Sequence, residues 1–341
     1  MPSFVEAELD RLYGNVFSSL PQLRLHDALT NVCTYVVRSG SNIITLFLFL
    51  HEKGRVRVIN EGMEVGEDEA SRFAGYIFSS LRNVNTISFR AIQTDVRRLA
   101  FPFQRSVYLE DIVLTLPDTE QEYLARLGKS TRSYIHRYLN KLRRSVPSFR
   151  FQTYVRDEVD EESIHAIIRL NRARMAAKGK VSGFDDVQTR KIIALVKACG
   201  FVGVATIDGR VCGGSINYCV GSNYFLEAVA HDSAYDNYRL GTLCSYLTIC
   251  ECIARAGKEY HFLWGQYAYK YRLLGVERDL ECLVVYRSRT HVLLCCDLAL
   301  TMAARGCWRQ AKAWLREKAG REESVVLRPA INALYRLRGS R

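Results

Sequence analysis

A chain of 341 residues, 48% apolar and 25% charged, has the composition of a folded protein with room for two ordinary domains. No stretch reaches the roughly 20 apolar residues of a membrane-spanning helix. The net charge of +12 points to an anionic partner, and the 11 cysteines form no CxxC pair or His/Cys cluster, which argues for reduced buried thiols and against zinc.

The start, MPSFVEAELD, has acids and no apolar core, so a secretory signal is not expected and a cytoplasmic location is. Residues 1–27 read as a helical or irregular lead-in. Cys33–Arg38 and Ile43–His51 then read as paired strands about the turn Ser39-Gly40-Ser41-Asn42. Lys53–Ile59 adds a strand, Glu67–Leu81 has helical periodicity through Phe73, Ile77 and Leu81, and Asn85–Phe89 and Val107–Thr115 are further strands. Residues 1–117 thus form an N-terminal α/β unit.

A helix starts at Asp118-Thr119, with Glu122 close to the capping-box position, and runs into a basic segment broken at Gly128-Lys129-Ser130. From Arg126 to Arg150 there are eight Lys or Arg side chains and no acid, suited either to an anionic partner or to a solvated helix face. Phe149–Val155 is a strand. Val159–Ala177 and Thr189–Cys199 are helices, the second closed by Gly200 as a C-cap glycine. Phe201–Ile207 and Val211–Val220 form a hairpin on Asp208-Gly209. A strand from Tyr224 carries one acid, Glu227. A loop ending in Arg239-Leu240-Gly241-Thr242 opens a helical run, and a last strand closes on Trp264-Gly265 and Tyr269-Lys270. Helix N-termini leave N–H groups unpaired and attract anions, so this strand-loop-helix reads as a phosphate-binding element. The order defines an α+β fold with a mixed, largely antiparallel sheet in residues 118–290, followed by a basic amphipathic tail, 291–341. That tail suits an anionic bilayer surface, an acidic carrier protein, or packing back on the domain.

Three segments carry a family likeness. Leu127-Gly128-Lys129-Ser130-Thr131-Arg132 opens an Arg-rich helix. Val211–Ile216 is followed by Tyr224–Asp232 and then Arg239–Leu243. Gly265-Gln266-Tyr267-Ala268-Tyr269-Lys270-Tyr271-Arg272 fits the pattern G-x-x-x-Y-K-x-R. Together they resemble the GNAT acyltransferase superfamily in its FemAB/CelD-like branch. The resemblance implies a GNAT-like fold, with residues 28–115 consistent with a reduced first copy of two in tandem. It implies transfer of an acyl group to an amine from acyl-CoA or an acyl carrier protein as co-substrate, with no permanently bound cofactor and no metal. Fem-type relatives use aminoacyl-tRNA instead, and a non-catalytic binding protein on the same fold is a third reading. A tail on an anionic surface would place the protein at the inner face of the membrane.

Amine acylation requires oriented substrates, a polarised carbonyl and a proton acceptor. Glu227 is the candidate base, fourteen positions before Gly241 as in histone-type members, among apolar neighbours that would raise its pKa; the alternative is a solvent-facing strand residue. His231 at the strand end is a second proton-transfer candidate, and Tyr269 a candidate acid for the departing thiolate. Tyr238, Arg239, Leu240, Gly241 and Thr242 form the candidate carrier loop. It departs from the family's Gln/Arg-x-x-Gly-x-Gly/Ala pattern at Tyr238 and Leu243. Asp232, Tyr235, Trp264, Lys270 and Arg132 are candidate substrate contacts.

Overall fold

The computed structural model describes residues 2–304. The expected basic tail therefore lies, from residue 305 on, outside the described residues. One sheet of eleven strands organises everything else. Its strands are β1 (Cys33–Ser39), β2 (Asn42–Glu52), β3 (Arg55–Val58), β4 (Thr86–Ile92), β5 (Phe103–Thr115), β6 (Arg150–Val155), β7 (Gly200–Ile207), β8 (Arg210–Val220), β9 (Asn223–His231), β10 (Glu259–His261) and β11 (Val276–Tyr286). The helices are α1 (Val5–Tyr13), α2 (Leu20–Leu25), α3 (Glu67–Ser80), α4 (Glu120–Arg126), α5 (Lys129–Ser145), α6 (Glu161–Ala177), α7 (Asp186–Cys199), α8 (Leu240–Ala254), α9 (Ala268–Arg272) and α10 (Arg289–Leu294).

Three strands, a helix and two strands occur twice, as β1-β2-β3-α3-β4-β5 and as β7-β8-β9-α8-β10-β11. In space the order is β1-β2-β3-β4-β11-β5-β10-β9-β8-β7-β6. The last strand of each copy has crossed over to the other copy. β11 lies against β4, and β5 lies against β10. The long antiparallel β5/β11 ladder forms the centre. Only β3/β4 and β9/β10 are parallel, each joined through a helix as a parallel crossover requires. The expected mixed, largely antiparallel sheet is therefore present, built from two halves of like element order.

Helices cover both faces where their apolar residues repeat. Ile164, Ile167 and Ile168 of α6, with Ile192, Leu195 and Val196 of α7, seal one face of β7–β9. The other face packs on α8, apolar on nearly every side and hence buried between sheet and α5. Only Ile135 and Leu142 of α5 are fully buried, and its Arg and Lys side chains face outward. Thr119 caps α4 by accepting the Glu122 N–H, as the sequence suggested.

Gly200 is the C-cap of α7, as expected, in extended backbone (φ −73°, ψ 150°). Its need for glycine is steric: a Cβ there would sit 2.4 Å from the Val196 carbonyl oxygen. The strand expected to close on Tyr269-Lys270 ends at His261, and both residues lie on α9. Residues 276–286, for which the sequence reading named no element, form the central strand β11.

Candidate active site

The two copies treat their parallel seam differently. In the first, β3 and β4 pair and the chains stay joined beyond β3. Gly62 N–H donates to Ala91, Gln93 N–H to Met63, and Val65 N–H to Gln93. The α3 N-terminus there is occupied by carboxylates. Glu67 accepts the Arg97 and Arg98 N–H groups, and Glu69 accepts those of Gly66 and the Thr45 hydroxyl. An incoming anion would meet negative charge in place of free donors.

In the second copy the seam opens. β9 and β10 pair from Asn223/Glu259 to Phe225/His261. The chain then follows β5 and not β9, with Phe262 N–H donating to Ile112 at 2.8 Å. Lys270 holds this departure in place. It is 3% exposed, and its ammonium donates to the carbonyls of Phe262 (2.7 Å), Leu263 (3.0 Å) and Trp264 (2.8 Å). Those carbonyls are satisfied without β9, as buried polar groups must be. Lys270 was expected to touch substrate. With three bonds to carbonyls it is instead a positioning residue that keeps the seam apart. Burial pulls its ammonium down to about 8. Lys270→Met is expected to orphan the Phe262 and Trp264 carbonyls, while Leu263 keeps a 3.4 Å bond from the Ile112 N–H, and to cost about 2–4 kcal/mol in urea unfolding. An unchanged midpoint would show that the clamp contributes nothing.

The opening is a cavity of about 860 Å³ lined by β9, α6, α8 and the segment 262–270. Glu227 lies where β9 bulges. Ile216 pairs with Ala228 and Asn217 with Leu226, leaving Glu227 as the extra residue. A bulge re-aims the side chain it carries. Burial raises the Glu227 carboxyl above its ordinary range, and the nearby Tyr218 hydroxyl, donating to it, opposes that rise. Tyr218 had no signal in the sequence beyond its place on an apolar strand.

His231 lies at the far end of β9. Its Nε2 is 2.7 Å from Asp236 Oδ1, while Nδ1 is buried with no partner. A tautomer donating from Nε2 leaves Nδ1 as an acceptor. Asp236 was not anticipated, because its role depends on the 3-10 turn Ser233–Tyr238 that brings it back to His231. A Cβ on Gly241 would fall 2.5 Å from His231 Nδ1, so glycine lets the imidazole reach the start of α8. Arg239 precedes α8 in the left-handed region (φ 56°), and its carbonyl accepts the Thr242 and Leu243 N–H groups. Among the described residues the Gly241 N–H finds no acceptor, which leaves a donor at the cavity edge.

Of the expected site residues, the cavity collects Glu227, His231, Asp232, Gly241, Thr242, Trp264, Tyr269 and Lys270. Asp232 caps the turn by accepting the Ala234 N–H. Burial pushes the Tyr269 hydroxyl up to about 12, and its ring packs edge-on against Phe262. Trp264 is 52% exposed and leans on Phe17. Tyr235, Tyr238, Arg239, Leu240 and Arg132 do not line the cavity. The Leu240 side chain is in the core, so only its backbone is available. Tyr235 packs against the α8 core, and Tyr238 receives the Lys141 ammonium over its ring. Arg239 hydrogen-bonds Tyr138 on α5 and lowers that phenol's pKa.

Residues 129–271 match the sequence profile of the acetyltransferase (GNAT) domain. This chain carries a GNAT acyltransferase domain. It is accordingly an acyltransferase, and the profile spans the splay, Glu227 and the α8 N-terminus. Among solved structures, FemX has a TM-score of 0.59 at 10% identity over 85% of this chain and 98% of its own. L-PGS from Bacillus licheniformis has a TM-score of 0.50 at 13% identity, covering 90% of this chain and 97% of that one. The C-terminal domain of a putative lysylphosphatidylglycerol synthetase from Agrobacterium fabrum has 0.50 at 8%, covering 87% and 95%. At such identities the likeness is one of fold. No curated protein matches the sequence. Among the described residues no helix is long and apolar enough to cross a membrane.

Proposed function

We propose that this GNAT domain transfers an acyl group from a thioester carrier, acyl-CoA or an acyl carrier protein, to an amine held in the β9/β10 cavity. The observation that carries the reading is the convergence, in one cavity, of a half-buried carboxyl on a bulge and the free Gly241 N–H of α8. The carrier's phosphates meet the Gly241 N–H at the start of α8. Glu227 accepts the ammonium proton directly or through water, His231 Nδ1 is the second acceptor, and the Tyr269 hydroxyl protonates the departing thiolate. Residues 118–290 are the catalytic unit in this reading, with 1–117 as its scaffold. A cytoplasmic location, with the tail on an anionic surface, belongs to the same proposal.

The test is native mass spectrometry of the full chain with a panel of acyl-CoAs. One molecule retained per chain, and lost in Gly241→Leu, is the expected result; no retained adduct contradicts a CoA carrier.

One surface favours an aminoacyl-tRNA donor as the second reading. Arg137 stacks on Tyr138, Arg239 reaches Tyr138, and Lys141 lies over Tyr238, so cations alternate with rings beside the start of α8. The names FemX and lysylphosphatidylglycerol synthetase among the structural relatives are consistent with it. Tight, salt-sensitive RNA binding with no CoA adduct would select this donor.

A further inference from the structure

The cations at the C-terminal end of α6 are used unequally. Arg169 pairs with Glu162, and Arg172 with Asp186 and the Phe184 carbonyl. Arg174 lines the cavity half-buried and has no acidic partner among the described residues. Lys178, one turn on, and Lys180 line the same wall. The carboxylates in the cavity do not answer this charge. Asp236 is held by His231, Asp232 caps Ala234, and Glu227 sits with Tyr218 on the bulge. Arg174 and Tyr269 line the same cavity, and the Arg174 charge lowers that hydroxyl's pKa against the larger effect of burial, so the two groups lie within electrostatic reach. A half-buried guanidinium with no acid beside it keeps its planar fork free for the oxygens of a ligand.

We propose that Arg174, extended by Lys178 and Lys180, is an anion-anchoring subsite, and that the amine acceptor carries a carboxylate or phosphate at its other end. This rests on the acyl-transfer reading of the cavity. The acceptor then spans from α6, where its anion is held, to Glu227 on β9, where its amine is deprotonated. α6 packs directly on β9, so both contacts belong to one rigid wall.

The experiment is isothermal titration of the full chain, without any acyl donor, against matched amines: phosphoethanolamine and ethanolamine, β-alanine and its amide, lysine and its amide. Each anionic member is expected to bind at least about tenfold more tightly than its neutral twin, the worth of one charge-assisted hydrogen bond. Arg174→Gln should bring that ratio close to one and leave the neutral members unchanged, while Arg174→Lys keeps part of it. Lys178→Gln with Lys180→Gln, both at exposed positions, should lower the ratio by about threefold. The larger ratio, for the phosphate or for the carboxylate pairs, identifies the anion. Equal binding of charged and neutral twins, no binding of either, or a ratio unmoved by Arg174→Gln overturns the subsite. With no donor present, a lost ratio counts against the subsite alone. A preserved ratio without acyl transfer counts against the transfer reading alone.

Discussion

Replacing Glu227 with Gln is expected to lower kcat by about 100- to 10,000-fold, the usual worth of a positioned general base. The wild-type rate should rise with pH through the Glu227 pKa, which burial places above the ordinary carboxylate value of 4.5. The variant should lose that limb of the profile. Its stability should move the other way. A carboxyl whose folded pKa is raised contributes stability below the unfolded value and loses it as pH rises through the folded one. At neutral pH the carboxylate is therefore a cost, and Gln removes it. Full turnover with an unshifted profile would eliminate Glu227 as the base and leave His231 as the acceptor.

The second large effect lies at the centre of the sheet. His261 on β10, 3% exposed, has Nδ1 2.7 Å from Asp111 Oδ2 on β5 and Nε2 3.2 Å from Glu259 Oε2. Arg278 on β11 closes the set on Glu259 at 2.6 Å, and the imidazole stacks on Phe225. These charges join the crossed-over strands of both copies. Burial disfavours the imidazolium, but Asp111 and Glu259 outweigh it and raise the His261 pKa above 6.5. The His261 contact, with Arg278 beside it, holds Glu259 down at about 2. His261 thus stabilises the fold below about 6.5 and loses that contribution as pH rises through its higher folded value. Glu259 contributes above about 4.5 and loses it towards about 2. Asp111→Ala leaves the buried imidazolium without its main partner and should cost about 3–5 kcal/mol. Asp111→Asn, which keeps an acceptor oxygen, should cost less. Urea unfolding across neutral pH reads both. An unshifted midpoint in Asp111→Ala would mean that the cluster does not hold the two copies together.

Much of this site could be read in the sequence, for local reasons. A single acid in the apolar run Tyr224–Ala230 marked Glu227, and Gly241 at the head of a helical run marked the proposed carrier-binding end. The strands β1, β2, β7, β8 and β9 were legible because turn residues separate apolar runs. What was hidden depends on contacts distant in sequence. Asp111 and His261 meet across 150 positions, and the exchange of β5 and β11 depends on a pairing that no local pattern records. β11 begins Val-Glu-Arg-Asp and becomes apolar only near its end, so its first half carried no strand pattern. Lys270 looked like a substrate contact because it stands in the motif Gly265–Arg272 that carries the family likeness. Only the path of residues 262–264 shows that it serves the backbone. Asp236 and Arg174 were missed because each acquires its meaning from a neighbour brought in by folding.

The central claim is that the acyl carrier enters the open seam of the second copy and not the closed seam of the first. Hydrogen exchange of the full chain with and without acetyl-CoA tests this most directly. The account predicts slowed exchange confined to residues 226–231 of β9, 240–245 of α8 and the segment 262–265. Protection at the α3 N-terminus, or no protection along β9 and α8, would contradict it.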